Sequence, residues 1–252
     1  LGPGDFTGSR IGISVIKTFS MLSGKEAFGF NALDVFTVSS LFKNIDKIEK
    51  KISIGEKVII IPLMDVRNHE IFFSIFEVSI VDNKHPGKSI KDIFKNAQSQ
   101  DVVFISGIND KKILVKKLYD ENVLIKKDEF ADRFFKLLIQ IKKLNECTCS
   151  SCGSLFAKKV QSNYPGSSSI IPENPARTKE TINYILTGNA FSSYGSIFEE
   201  VKNNSKQLKK TKTFIEKNNK YTEARYINLL AYFRAITDSG NKNIAPFYVR
   251  DF

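Results

Sequence analysis

Few side chains in this sequence stand at spacings that could carry out a reaction. Asp65, Arg67 and Glu70 cluster around the corner Asp65-Val66-Arg67-Asn68, with His69 between them. A carboxylate and a guanidinium two residues apart on extended chain point to one side, so Asp65 and Arg67 are expected to pair with each other instead of acting as acid and base. A helical metal site of the H-E-x-x-H kind needs a second imidazole four residues on. His69 is followed at that distance by Phe73, and His85 by Ser89. His69 is therefore expected as a strand-edge surface residue. The cysteines Cys147, Cys149 and Cys152 fall one short of a structural zinc set, and both histidines are remote in sequence. An odd number is an equally poor disulfide framework, and a reduced, partly exposed loop is the expectation. No catalytic residue and no metal ligand is assigned.

The opening run Gly2-Pro3-Gly4-Asp5-Phe6-Thr7-Gly8-Ser9-Arg10-Ile11-Gly12 carries more information. It satisfies neither the dinucleotide fingerprint nor the GxxxxGK[ST] phosphate loop. Glycines four apart share one face of a helix and leave a groove there, which admits a second backbone. A protein contact, an anion at the helix N-terminus and plain internal packing all remain open on this evidence.

The elements that must position these residues follow from periodicity. Ile11, Val15, Ile16, Phe19 and Leu22 recur at helical spacing, Thr7 is placed to cap, and Gly24 to stop the helix. Ala27 to Phe30 reads as a short strand, followed by a helical stretch from Ala32 into 43–51. The runs 58–64 and 71–78, rich in β-branched and aromatic residues, form the clearest strand pair, and the unbroken apolar first arm implies a strand covered on both faces. Short strands at 102–105 and 113–115 and a helix over 129–143 come next. From 146 to 181 the Ser, Cys, Pro, Gly and Asn content predicts a long loop, with a short helix near 154–160. A strand at 182–186, helices over 194–216 and 222–237, and an extended end at 244–250 complete the reading.

The chain has 252 residues, 42% of them hydrophobic and 26% charged, enough for one sizeable core or two around a cleft. No apolar run approaches a membrane span and Leu1 to Gly4 is no signal peptide, so a cytoplasmic protein without membrane contact is expected. Leu1 leads straight into a glycine-rich turn, and a preceding segment is expected. Net charge is +11, densest in Lys202, Lys206, Lys209, Lys210, Lys212, Lys217 and Lys220. Such a run could approach RNA phosphates, although a solvated helical face is the commoner meaning.

The opening run resembles the GPGSFTGLRIG signature of the TsaB (YeaZ-like) family, departing at Asp5 and Ser9. Leu63-Met64-Asp65-Val66-Arg67-Asn68-His69-Glu70-Ile71-Phe72 is similar to its "DAR-x-x-E-v-y", with Val66 for Ala, and Leu186-Thr187-Gly188-Asn189-Ala190 to its "v-G-D-G-A", with two substitutions. Ala245-Pro246-Phe247-Tyr248-Val249-Arg250 resembles its closing "P-x-Y-L-R". Residues 83–181 match poorly and exceed the usual family length, and the family's N-terminal strand pair is absent.

The resemblance implies an actin/Hsp70-like (ASKHA) two-lobed α/β fold, N-terminally truncated: residues 1–55 the remainder of the first lobe, and 56–252 the second, with an insertion at about 83–181. It implies a non-catalytic subunit that activates the paralogous TsaD, working with the TsaE ATPase to transfer a threonylcarbamoyl group to the adenosine beside the tRNA anticodon. ATP and metal would then sit on the partner subunits, tRNA would be reached only through the complex, and self-pairing is the alternative to the heterodimer. Phe6, Gly8, Arg10, Ile11, Gly12 and Val15 are the implied interface. Gly2, Pro3, Gly4, Thr7, Asp65, Arg67, Gly188, Pro246, Tyr248 and Arg250 are implied structural motif positions. The catalytic member of that system needs an H-x-x-x-H pair, which this chain lacks. An actin-fold small-molecule kinase and a free-standing tRNA-binding module are the rival readings.

Overall fold

The computed structural model describes residues 6–66, 69–81, 112–118, 123–146, 181–205, 211–216 and 221–237. Helices α1 (Phe6–Ser23), α2 (Ala32–Lys43) and α3 (Ile45–Ser53) lead into β1 (Lys57–Asp65), β2 (Glu70–Phe73) and β3 (Phe76–Val81). Then come β4 (Lys112–Lys117), β5 (Val123–Lys126), α4 (Lys127–Glu146), β6 (Ile182–Thr187), the one-turn α5 (Ala190–Ser193), α6 (Gly195–Ser205), β7 (Thr211–Ile215) and α7 (Ala224–Thr237).

Among the described residues β1 is the axis of a mixed seven-stranded sheet. β6 runs parallel to it from Lys57↔Ile182 to Pro62↔Thr187, and β7 runs parallel to β6. β2 and β3 are antiparallel to β1 in one continuous register, with Leu63 opposite Phe73 and Ile60 opposite Phe76. They are two halves of a single long strand. The interruption between them faces Pro62, whose carbonyl accepts from the Ser74 amide at 3.4 Å. A strand residue aims its N and O at the same edge, and proline has no N–H to donate there, so the ladder lacks one bond where the strand breaks. β5 and β4 extend the sheet beyond β2 and β3, again antiparallel.

Alternation along β1 divides two cores. Ile59, Ile61 and Leu63 face a layer containing Phe130, Phe134, Leu138 and Ile141 of α4 and Phe198 and Val201 of α6. On α4 these side chains stand at i, i+4, i+8 and i+11, the stripe that buries a helix on a sheet. Phe130 and Phe134 stack at 5.0 Å, and Phe73 meets both edge-on at 5.9 and 5.7 Å. Val58 and Ile60 face the opposite layer, built with Val35, Val38 and Leu41 of α2, Ile48 of α3 and Tyr226 and Leu230 of α7. The strand covered on both faces is thus present. α2 and α3 share a core with β1, so the sequence boundary at 55/56 runs between two helices and the strand that they cover.

Several elements differ from the sequence reading. Ala27–Phe30 is not a strand among the described residues; the segment finds no ladder partner, and Phe30 enters the core instead. The helix expected from Ala32 through 43–51 is split at Asn44, whose side-chain amide donates to the Ser40 carbonyl at 3.0 Å. Local side-chain bonding of this kind competes with helix continuation. The stretch 194–216, read as helical, ends as strand β7: Thr-Lys-Thr-Phe-Ile has β propensity, and β6 offers it an edge. β5 was missed because four residues are too few to show a period. The strand at 102–105, the helix near 154–160, the extended end at 244–250 and Cys147, Cys149 and Cys152 lie outside the described residues.

Candidate functional site

Two places answer to the sequence motifs. The first is α1. Stepping by three and four residues, Gly8, Ile11, Gly12, Val15, Phe19 and Leu22 fall on one face of the helix. None of residues 8–23 is buried. Ile11 is 60%, Val15 46%, Phe19 64% and Leu22 81% exposed, and the partly covered positions Ser9, Ile13 and Ser20 lie on a different side. A Cβ built at Gly12 would meet nothing within 4 Å. Internal packing therefore gives no reason for glycine at 12, and the space beside its Cα is open. Arg10 is exposed on the side away from the apolar face. Phe6 and Thr7 open the helix, while Gly2, Pro3 and Gly4 lie outside the described residues.

The second place is the C-terminal rim of the sheet, where parallel β1 and β6 end side by side. Gly188, just past β6, has φ +117 and lies so close to β1 that a Cβ would come within 2.1 Å of the Leu63 carbonyl oxygen. Only glycine permits this approach. It delivers Asn189, whose side-chain oxygen accepts from the Asp65 backbone N–H at 2.9 Å. Tyr194, between α5 and α6, donates its hydroxyl to Asp65 Oδ1 at 3.0 Å. The Lys127 ammonium sits 5.4 Å above the Tyr194 ring, and the Lys127 N–H donates to the His69 carbonyl at 2.6 Å. Burial, helped by the carboxylate of Asp65, pushes the Tyr194 phenol above its ordinary range.

This rim is a fastener between β1, α4 and the β6–α6 turn. Asp65 accepts from Tyr194; Arg67, its expected ion-pair partner, lies outside the described residues. His69 is exposed at the hairpin corner with φ 61. Asn189 stands where a magnesium-binding acid would be wanted by a nucleotide enzyme, and its side-chain oxygen is turned onto the β1 backbone. Tyr194 carried no signal in sequence, being 129 residues from Asp65. Pro246, Tyr248 and Arg250 lie outside the described residues.

A further polar knot lies at the opposite end of the same strands. The Asn183 side-chain amide donates to Glu56 Oε2 at 2.9 Å and to the Lys57 carbonyl at 3.1 Å, while Lys51 donates to Asn183 Oδ1. Lys212 reaches Glu56 Oε1 at 3.2 Å. The Asn183 bond, with Lys212 and Lys51 nearby, holds the Glu56 carboxyl below the usual carboxylate range. Among the described residues no group of three His, Cys, Asp or Glu is placed to hold a metal ion, and no helix is long and apolar enough to cross a membrane. No protein-family model matches the chain, and no curated protein is significantly similar to it.

Proposed function

We propose that the chain is a non-catalytic scaffold subunit that docks through α1 on a paralogous catalytic partner, the role that the TsaB-like motifs imply toward TsaD in threonylcarbamoyl transfer to tRNA. One observation carries the reading: the motif-bearing helix presents a continuous apolar face, with an open glycine in it, to solvent. Complete burial of an aliphatic or phenyl side chain is worth about 1.5–3 kcal/mol. Ile11, Val15, Phe19 and Leu22, each about half exposed or more, hold on the order of 5 kcal/mol of hydrophobic free energy that only a second surface can realise. The helix groove at Gly12 lets the partner's backbone approach.

The mixed sheet supports the actin-like part of the proposal. Its antiparallel strands on one side of β1, parallel strands on the other and helices on both faces supply the framework of one such lobe. The rim at Asp65 supports a structural role over a kinase: its carboxylate and the Asn189 amide are turned onto each other's segments. In this reading ATP and metal are held by the partner subunits and the complex works in the cytoplasm.

Co-expression of the whole chain with the TsaD homologue of the same source, followed by size exclusion and a threonylcarbamoyl-transfer assay on unmodified tRNA, tests the proposal. Co-elution and activity that requires both chains are expected. Gly8→Leu, Gly12→Leu and Phe19→Asp should each abolish co-elution while the circular dichroism of the isolated chain is unchanged. Undiminished association of all three variants would refute docking through α1. Failure of the wild-type chains to associate, with ATP turnover by this chain alone, would replace the scaffold with the kinase reading.

A further inference from the structure

The β7 edge of the sheet carries an arrangement that the scaffold reading does not use. Among the described residues β7 is the last strand on its side, and Lys212 and Phe214, two residues apart, project from the same face of it. Phe214 is 48% exposed although it lies in a strand whose alternate residues are partly covered. The Lys47 ammonium of α3 stands 5.5 Å from the centre of its ring. Lys212 is fixed from behind by Glu56, itself held by Asn183, so its ammonium is positioned before any ligand arrives. Lys50, on the next turn of α3 from Lys47, is exposed.

We propose that the Lys47–Phe214–Lys212 face of β7 is a binding surface for single-stranded RNA, with a base stacked on the exposed Phe214 ring and phosphates met by Lys47, Lys50 and Lys212. An exposed ring beside cations is the pairing such binding uses: stacking tolerates any base because every base has a π-face, and lysines follow the backbone. Charge complementarity selects the ligand, since the chain as a whole is +11 and Lys47 and Lys212 stand beside Phe214. One isolated ring is a platform for a base and offers little to insert into a lipid bilayer, which favours RNA over an anionic membrane. The surface is independent of α1, and the scaffold reading can fail without affecting it.

The test is fluorescence anisotropy of a labelled 20-mer oligouridylate with the whole chain across a salt series, with vesicles of anionic phospholipid and a 20-base-pair RNA duplex as competitors. Binding that weakens with salt is expected. Phe214→Ala should weaken it roughly ten-fold without changing the salt slope, because stacking releases no counterions. Lys47→Gln and Lys50→Gln should each lower the slope by about 0.7, the value for one phosphate contact on a single strand. The oligouridylate should survive equal concentrations of vesicle and duplex. Three results would each overturn the proposal: no binding at low salt, a Phe214→Ala variant that binds like the wild type, or displacement by vesicles or duplex at lower concentrations than by unlabelled oligouridylate. Circular dichroism of each variant separates lost binding from lost folding, and Lys47→Gln and Lys50→Gln, both at exposed helix positions, keep the test decisive if Phe214→Ala unfolds.

Discussion

Replacing Gly188 by alanine should destabilise the protein by about 3–7 kcal/mol, much of its whole margin if that margin is the usual 5–15 kcal/mol. The new Cβ would lie 2.1 Å from the Leu63 carbonyl oxygen and 3.0 Å from the Leu63 carbonyl carbon and nitrogen. Leu63 cannot retreat: it is fully buried in the central strand and paired with Phe73 on β2. A φ of +117 is itself a conformation that alanine adopts at a penalty of about 1–3 kcal/mol, and overpacking against rigid backbone adds about 1–3 more. Moving the turn to relieve the clash would also pull Asn189 away from the Asp65 amide, a loss of about 1 kcal/mol. Urea denaturation of the whole chain measures the sum; with a slope of about 2 kcal/mol/M the midpoint should fall by roughly 2 M. Gly55→Ala is the control, because Gly55 also has positive φ, +80, but nothing lies within 4 Å of its Cβ position. It should lose only about 1 kcal/mol. A Gly188→Ala variant no less stable than Gly55→Ala would refute the argument that close approach to β1 dictates the glycine.

Three further outcomes follow from side chains described above. Glu56→Gln should destabilise by about 1–2 kcal/mol at neutral pH. Because the folded carboxyl titrates below its unfolded value, that stabilisation is present above the unfolded value and fades as pH falls through the folded one; denaturation curves of variant and wild type should therefore converge below about pH 4. Tyr194→Phe removes the bond to Asp65 and should lose about 1 kcal/mol, and ultraviolet titration of the wild type should show a late-ionising phenol that the variant lacks. Phe134→Ala, at the centre of the α4 aromatic cluster, should lose about 3–5 kcal/mol in the same denaturation assay.

Residues whose role depends on their neighbours in sequence were legible. The doubly covered strand β1 and the helix α4 announced themselves by period, because burial on one or two faces imposes a repeat that reaches the sequence unaltered. The apolar stripe of α1 and its glycine positions were legible from helical spacing alone, although that face is exposed. Where the outcome depended on a remote partner, local reading failed. Thr211–Ile215 became a strand because β6 offered an edge, and Asn44 cut a helix with one side-chain bond. Asp65 accepts a hydrogen bond from Tyr194, a partner from another layer that no spacing in the sequence marks. Spacing cannot reveal a hydrogen bond that spans half the chain, and the glycine that makes it possible is visible in sequence only as a turn former.

Pro62 has a consequence for how the sheet is assembled. A hairpin whose arms are both apolar, such as β1 with β2 and β3, could slide by two residues and still bury its side chains on the same faces. Proline makes those alignments unequal. In the native one the missing donor falls opposite Ser74, in the gap between β2 and β3. A shift by two residues would set the proline opposite Phe72 or Phe76, both of which lie within paired strands here. The residue that weakens the strand thus works as a key cut for one alignment, and mispaired hairpins should be rejected during folding before the outer strands are added.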